Sequence, residues 1–324
     1  MGRPPRSLFS MKVYRTARDL PADRRIKGFA GSLLTRLRPG LSAAVDAAPF
    51  DPAWGPAAKL IRNAHLADAV RRGDHETLRR YFTHYWSSAT SVEFYEGFAH
   101  RFEELFLRHH SLIADHLGDA LRDLGEGPVR LVEVGSGDGR VLEWFAEQLP
   151  GIATFHGVDL NDREIRKCRE NHRDSSRLFF HSGDLLAWLR ANPAPRTVLV
   201  TNGGVFEYLL EEELRTLFTE LRSLCSPCLV AVTESIGDDH DLENETFSLP
   251  YGHEFAFSHN YPAILREAGF AISWERNRPT EPGEENHPVR WYQLLAGSMS
   301  GVSRRLPTEG VSAFLFMAAQ FALG

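Results

Sequence analysis

Two hydrophobic periods alternate along the middle of the chain. Short apolar runs of strand length are separated by stretches in which apolar residues recur with helical spacing. The strand-like runs are 129–134, 154–158, 177–181, 197–201 and 228–234, and the helical stretches are 140–149, 162–171, 185–191 and 211–224. Strands that alternate with helices in this way predict an α/β fold with a doubly wound, mostly parallel sheet.

The alternation stops near residue 260. A helix over 262–268 is predicted to end at Gly269, and two strand-like runs follow, 270–275 and 290–295. The polar loop between these runs contains no helical pattern, so the two strands must pair antiparallel. The sequence therefore predicts a parallel sheet that closes with an antiparallel hairpin.

The first 125 residues have helical spacing throughout. Helices are predicted over 57–72 and from Asp74 onward, and a capping box at 90–93 opens another helix. That helix carries an aromatic stripe which is either ordinary core or the roof of a substrate pocket: Phe94, Phe98, Phe102, Leu105 and Phe106. We predict three regions, which are a basic arm and helical cap over 1–125, a core domain over 126–297 and a tail helix over 298–324.

Charge is distributed unevenly along the 324 residues. The net charge is −6, but the first forty residues contain ten cations and two acids. Such an arm is either a solvated terminus or a contact to nucleic acid or an anionic membrane. The acidic balance of the remainder argues against nucleic acid as a partner. The apolar run 311–323 is too short to span a bilayer, so peripheral membrane contact and homo-oligomerisation stay open.

The cysteines and histidines favour neither a disulfide framework nor a metal site. Cys168, Cys225 and Cys228 are too few for a disulfide framework, and no secretory signal is visible, so we expect reduced thiols and a cytoplasmic protein. The histidines show no metal-binding spacing, and we predict that the protein holds no metal.

A glycine-rich turn follows the first strand-like run. Gly135, Gly137 and Gly139 are spaced GxGxG, whereas the turn that binds dinucleotides is GxGxxG. Glu133 and Asp138 place carboxylates at the turn, where they would oppose a bound pyrophosphate. The turn therefore favours a cationic ligand without phosphate.

The segment "LVEVGSGDG" resembles motif I of the class I S-adenosylmethionine-dependent methyltransferases. This resemblance implies that S-adenosyl-L-methionine is the cofactor, and it assigns a role to each motif in turn. Glu133, Gly135, Ser136 and Gly137 would hold the methionine part, Asp159 with Leu160 the ribose, Asp184 with Leu185 the adenine, and Asn202 would lie where cofactor and substrate meet. The alternative for Asp159 and Asp184 is a helix N-cap, since both precede predicted helices.

A methyltransferase of this kind would act on a small-molecule acceptor. The sequence "NGGV" departs from the NPPY-type motif of enzymes that methylate the amino groups of bases or glutamine, so we expect a hydroxyl acceptor. A hydroxyl needs a general base, for which His259, then His253 and then Glu234 are the candidates.

The sequence is compatible with three alternatives. The acids of the insertion that follows the fifth strand form either a solvated face or a site for a cationic acceptor, which would favour N-methylation of an amine, guanidine or peptide. The chain could instead be an NAD-dependent oxidoreductase. It could also be a non-catalytic binding module whose basic arm recruits a partner.

Overall fold

The computed structural model describes residues 11–16, 18–87, 101–252, 255–278 and 290–298. Within these residues, nine strands form one seven-stranded sheet and one small hairpin. They are β1 Arg130–Val134, β2 Thr154–Asp159, β3 Leu178–Ser182, β4 Thr197–Thr201, β5 Cys228–Ile236, β6 Leu249–Tyr251, β7 Ala256–Ser258, β8 Ala271–Arg278 and β9 Arg290–Gly297.

The large sheet confirms the predicted fold class. Its strand order is β3-β2-β1-β4-β5-β9-β8, and the first five of these strands are parallel. Strand β9 pairs antiparallel with both β5 and β8, so the sheet closes with the predicted hairpin. Strand order reverses between β1 and β4, which places a binding crevice at the carboxyl ends of these strands.

Ten α-helices lie in the described part of the chain. They are α1 Ala22–Leu37, α2 Pro39–Ala47, α3 Pro56–Arg72, α4 His75–Ser87, α5 Ile113–Ala120, α6 Arg140–Gln148, α7 Asp162–Asn171, α8 Leu185–Ala191, α9 Glu211–Cys225 and α10 Tyr261–Glu267. A π-helical segment, Phe102–His110, precedes α5. Separate apolar clusters pack on the sheet, and a further one joins the N-terminal helices to β7. None of the helices described is long and apolar enough to cross a membrane.

The insertion after β5 contains structure that the sequence pattern did not reveal. Strands β6 and β7 form an antiparallel hairpin there, and each has only three residues. Runs that short carry too few side chains to show an alternating period. The predicted capping box, with Phe94 and Phe98, lies outside the described residues, as does the tail helix. Phe102, Leu105 and Phe106 fall in the π-helical segment.

The basic arm is not a solvated terminus over the residues described. Val13 forms an antiparallel bridge with Tyr251, and the Tyr14 N–H donates to the Pro250 carbonyl over 2.7 Å. Residues beyond these form α1 and α2. The N-terminal segment is therefore part of the folded insertion, which corrects the expectation of a free arm.

Candidate active site

The glycine turn after β1 has a backbone that favours glycine. Gly135, Gly137 and Gly139 have φ values of 69°, 49° and 81°, which L-residues with a side chain rarely adopt. A Cβ atom on Gly135 would lie 2.5 Å from Cγ2 of Val205, so the loop after β4 packs directly on the turn. A Cβ atom on Gly157 of β2 would lie 2.6 Å from Oγ of Ser136. Glycine on β2 thus lets the turn approach the neighbouring strand.

Glu133 lies at the end of β1 as a buried carboxyl group. Its side chain is 2% exposed, and its Oε2 atom has no hydrogen-bond partner among the described residues. Burial raises the pKa of Glu133 well above its ordinary value, and the negative charges of Asp138 and Asp159 raise it further. A bound ammonium group would supply both the missing hydrogen bond and the missing countercharge. This environment fits the predicted contact to the amino group of the cofactor.

Asp159 ends β2 and braces the glycine turn. Its carboxylate accepts the N–H of Gly137 over 3.0 Å and the N–H of Asn161 over 2.8 Å. Burial raises its pKa in spite of these two bonds. The N-cap of α7 is Asn161, whose side chain accepts from the N–H groups of Arg163 and Glu164. The helix-cap alternative is therefore wrong for Asp159, and the carboxylate keeps lone pairs for ribose hydroxyls.

Asp184 does cap a helix. Its Oδ1 atom accepts the N–H of Ala187 over 2.9 Å at the start of α8. The carboxylate is exposed, so the cap leaves its second oxygen accessible, and the predicted adenine contact stays compatible with the cap. The Gly183 N–H donates to the Asp159 carbonyl over 2.9 Å, which ties the ends of β2 and β3 together. Leu185 is buried, and Leu160 is 37% exposed beside Asp159.

Asn202, directly after β4, is paired with His110, a histidine outside the predicted site. Nδ1 of His110 lies 2.9 Å from Oδ1 of Asn202. An amide oxygen only accepts, so Nδ1 carries the proton and Nε2 keeps its lone pair. That Nε2 atom is buried and has no partner within the described ranges. The pair therefore places a proton acceptor at the edge of the sheet where we expect cofactor and substrate to meet.

The surroundings of His110 keep it neutral. Burial lowers its pKa to about 3 against the raising effect of the Asn202 bond, and the charges of Arg278, Arg101 and His109 lower it further. The ring packs edge-on against Trp291 with 4.5 Å between centroids. No local signal marks His110 in the sequence, because its partner lies 92 residues away.

Glu234, one of the predicted bases, holds the loop after β4. Its carboxylate accepts the N–H of Val205 over 2.9 Å and the N–H of Phe206 over 3.1 Å. Burial raises its pKa to about 8, and the neighbouring charge of Glu207 adds to the effect. Since Val205 packs on Gly135, Glu234 acts on the cofactor turn through the loop that it anchors.

His259, the first predicted base, uses both ring nitrogens in hydrogen bonds within the protein. Nε2 lies 3.0 Å from the Phe206 carbonyl and must donate to it, so Nδ1 accepts the Ser248 hydroxyl over 2.6 Å. Burial lowers its pKa to about 3. Neither ring nitrogen is available to a substrate in this arrangement, so the geometry favours a structural role. His253 lies outside the described residues.

The acids of the insertion bind the N-terminal segment. The Glu245 carboxylate accepts from Nε of Arg15 over 2.6 Å, and Asp239 accepts the N–H of Val13 over 2.8 Å. The Met11 N–H donates to Asp238 over 3.2 Å. These three carboxylates therefore hold the N-terminal segment, whereas the other two acids of the insertion, Asp241 and Glu243, are exposed as a solvated face would be.

Metal-binding groups are absent from the described part of the chain, since no three His, Cys, Asp or Glu side chains come together there in a way that could hold an ion. Cys168, Cys225 and Cys228 are all free and buried. The candidate site thus consists of the turn, the acids at the ends of β1 to β3, and the pair of His110 and Asn202.

Comparison with known proteins identifies the central region. Residues 131–228 match the family model of a methyltransferase domain. The solved magnesium protoporphyrin IX methyltransferase from Synechocystis is 14% identical, over 68% of this chain and 97% of that one, with a TM-score of 0.43. The N-methyltransferase NodS from Bradyrhizobium japonicum is 15% identical, over 61% and 90%, with a TM-score of 0.40. The [4+2]-cyclase SpnF is 16% identical, over 58% and 82%, with a TM-score of 0.41. The curated proteins include no match to this chain.

The names of these structural neighbours give different reactions. A structural similarity this low therefore does not assign a reaction to this chain. The family match is more specific, because it runs from β1 to the start of β5 and includes the glycine turn. The sheet also departs from the dinucleotide-binding order 3-2-1-4-5-6 after β5, where the antiparallel strand β9 follows, and this disfavours an NAD-dependent oxidoreductase. Residues 131–228 therefore correspond to a methyltransferase domain, and they lie in a sheet whose order and antiparallel closing strand agree with the predicted class I fold.

Proposed function

We propose that this enzyme methylates a hydroxyl oxygen of a small-molecule acceptor, and that Nε2 of His110 receives the proton that the hydroxyl loses. One observation carries the proposal. The Asn202 amide fixes the protonated nitrogen of His110 and leaves a buried lone pair at the carboxyl end of β4. An amine that arrives unprotonated needs no such base, whereas a hydroxyl does.

We propose the cofactor contacts from the positions of three acids at the carboxyl ends of β1 to β3. S-adenosylmethionine supplies, when bound, a methyl group on a positively charged sulfur. Glu133 would pair with its ammonium, Asp159 would accept its ribose hydroxyls, and Asp184 would lie beside its adenine. The three residues lie at or just beyond the carboxyl ends of three adjacent strands, so a single extended ligand could contact all three.

The electrostatics narrow the class of acceptor. The low pKa of His110 keeps Nε2 unprotonated at neutral pH, yet it makes an imidazolium costly at this position. A hydroxyl with an ordinary alcohol pKa would give up its proton too reluctantly to such a base. A phenol or an enol is more acidic, and the charges of Arg101 and Arg278 near His110 would stabilise its oxyanion. We therefore place the acceptor among acidic hydroxyl compounds.

The N-methylation alternative loses its main support. It depended on the acids of the insertion as a site for a cationic acceptor, and three of these acids bind residues 11–15. Oxygen is consequently the acceptor atom that the site favours.

The experiment has two stages. Labelled S-adenosylmethionine and cell extract first identify the acceptor and the atom that carries the label. Turnover of that acceptor is then compared between the wild type, His110→Gln and the control His116→Gln. His116 lies in α5 and stacks on Trp274 of β8. We expect His110→Gln to lower kcat by roughly 10²–10⁴-fold, the usual contribution of a general base. S-adenosylhomocysteine binding and the control should be unchanged.

The pH profile provides an independent readout. Because the pKa of His110 is lowered to about 3, kcat/KM should lack the acidic limb near pH 6.5 that an ordinary histidine base produces. A label on nitrogen, or full turnover by His110→Gln, would contradict the proposal.

A further inference from the structure

Helix α1 exposes a continuous apolar stripe, which we call the α1 outer face. Its members are Ile26, Phe29, Leu33 and Leu37, which are 69%, 78%, 53% and 69% exposed. Their spacing of three, four and four residues puts all four on one side of the helix. A single exposed apolar residue is ordinary, but four in a row over three helical turns mark a contact surface.

The opposite side of α1 explains why these side chains face outward. Gly28 and Gly31 are the buried residues of this helix, and they lie against α3. A Cβ atom on Gly31 would lie 2.0 Å from the Leu60 carbonyl oxygen, so the two helix backbones are in close contact. Small residues of α1 face the protein together with Leu34, whereas the four large apolar residues of the α1 outer face point outward, which is unusual for a surface helix of a soluble domain.

The charges beside the stripe are positive. Arg25 and Arg36 are exposed along one flank of the α1 outer face, and Arg38 follows the helix. Asp23 is engaged by Lys27 over 3.1 Å. An apolar helix face bordered by exposed arginines matches the acyl boundary and anionic headgroups of a membrane surface.

Other occupants fit less well. Nucleic acid would use the arginines but would leave the four large apolar side chains without a partner. A second copy packed antiparallel on this face would set Arg25 opposite Arg36 of the other copy, and such like charges repel.

We propose that the α1 outer face docks on an anionic membrane surface. Phe29 and Leu33 enter the headgroup boundary, and Arg25 and Arg36 contact anionic lipid. This surface lies on a different element from the catalytic residues, so the inference does not depend on the acceptor.

Vesicle co-sedimentation of the full chain tests the proposal. The probes are vesicles of phosphatidylcholine alone and of phosphatidylcholine with phosphatidylserine. The variant is Phe29→Ser with Leu33→Ser, and the matched control is Phe247→Ser, another exposed aromatic at 51% exposure. We expect binding to the anionic vesicles, at least about a tenfold loss of partitioning in the double variant, and no loss in the control. Added salt should also weaken binding to the anionic vesicles, and so should the double variant Arg25→Glu with Arg36→Glu.

Several results would overturn the inference. They are an absence of vesicle binding, equal binding to neutral vesicles, and undiminished binding by the double variant. Binding that disappears only on deletion of residues 299–324 would assign the contact to the tail. A dimer that Phe29→Ser converts to monomer, with vesicle binding unchanged, would assign the face to self-association. Thermal unfolding of each variant provides the check that the fold is intact.

Discussion

Replacement of Glu234 by Gln should stabilise this enzyme at neutral pH without abolishing methyl transfer. The carboxyl is fully buried and its pKa is raised to about 8 from an ordinary 4.5. Folding at neutral pH therefore requires this group to take up a proton that it has lost in the unfolded chain. Gln has the same shape and carries no charge, so it avoids that requirement.

The magnitude follows from the two pKa values. Each pH unit above 4.5 costs the wild type about 1.4 kcal/mol of unfolding free energy, up to the folded pKa of about 8. At pH 7 the cost is roughly 3 kcal/mol, whereas below pH 4.5 it vanishes. The single amide oxygen of Gln serves the N–H groups of Val205 and Phe206 less well, which costs about 1 kcal/mol. A net gain of about 2 kcal/mol at pH 7 is expected, with none at low pH.

Denaturant unfolding at about pH 5 and about pH 7.5 measures this difference. The control is Glu245→Gln, because the bond from Arg15 lowers the pKa of Glu245 to about 2 and reverses the sign. That variant should lose stability at neutral pH and match the wild type only in strong acid. An advantage for Glu234→Gln that does not grow with pH would refute the reasoning. Lost turnover in a stably folded Glu234→Gln protein would instead restore Glu234 as a candidate base.

Three further variants probe the site and its supports. Asp159→Ala should weaken S-adenosylhomocysteine binding in calorimetry by about tenfold or more, and Asp162→Ala, an exposed neighbour, should not. Gly157→Ala should impair both stability and cofactor binding in thermal-shift assays, since its Cβ atom would collide with the cofactor turn, while Gly151→Ala has open space and should be neutral. Arg15→Ala should make limited proteolysis of the N-terminal segment faster, because it removes the ion pair to the insertion; an unchanged digestion rate would show that the pair contributes little.

The sheet was predictable because its signals are local. The predicted bounds 197–201, 162–171 and 185–191 coincide with β4, α7 and α8, where apolar spacing and capping residues lie next to one another in the chain. The signal of the glycine turn is equally local, since the three positions whose positive φ values favour glycine lie within five consecutive residues.

The base was not predictable, because its environment is assembled from distant segments. His259 looked suitable from its place before a helix, but Ser248 and the Phe206 carbonyl use both of its nitrogens. His110 gained its properties from Asn202, far along the chain, and from the burial that the fold imposes on it. Hydrogen-bond partners that are far apart in the chain are brought together by the topology of the fold. The spacing of apolar residues predicts helices and strands but does not predict such partners.

The bond between Val13 and Asp239 spans 226 residues, and this separation has a consequence for biosynthesis. Residues 11–15 leave the ribosome long before the hairpin that receives them, which is made only after the five parallel strands are complete. Closing so long a loop is entropically unfavourable and slow. Residues 11–15 must therefore wait for their partners while the rest of the domain emerges. During that interval they are exposed to chaperones and to lipid before the insertion can receive them.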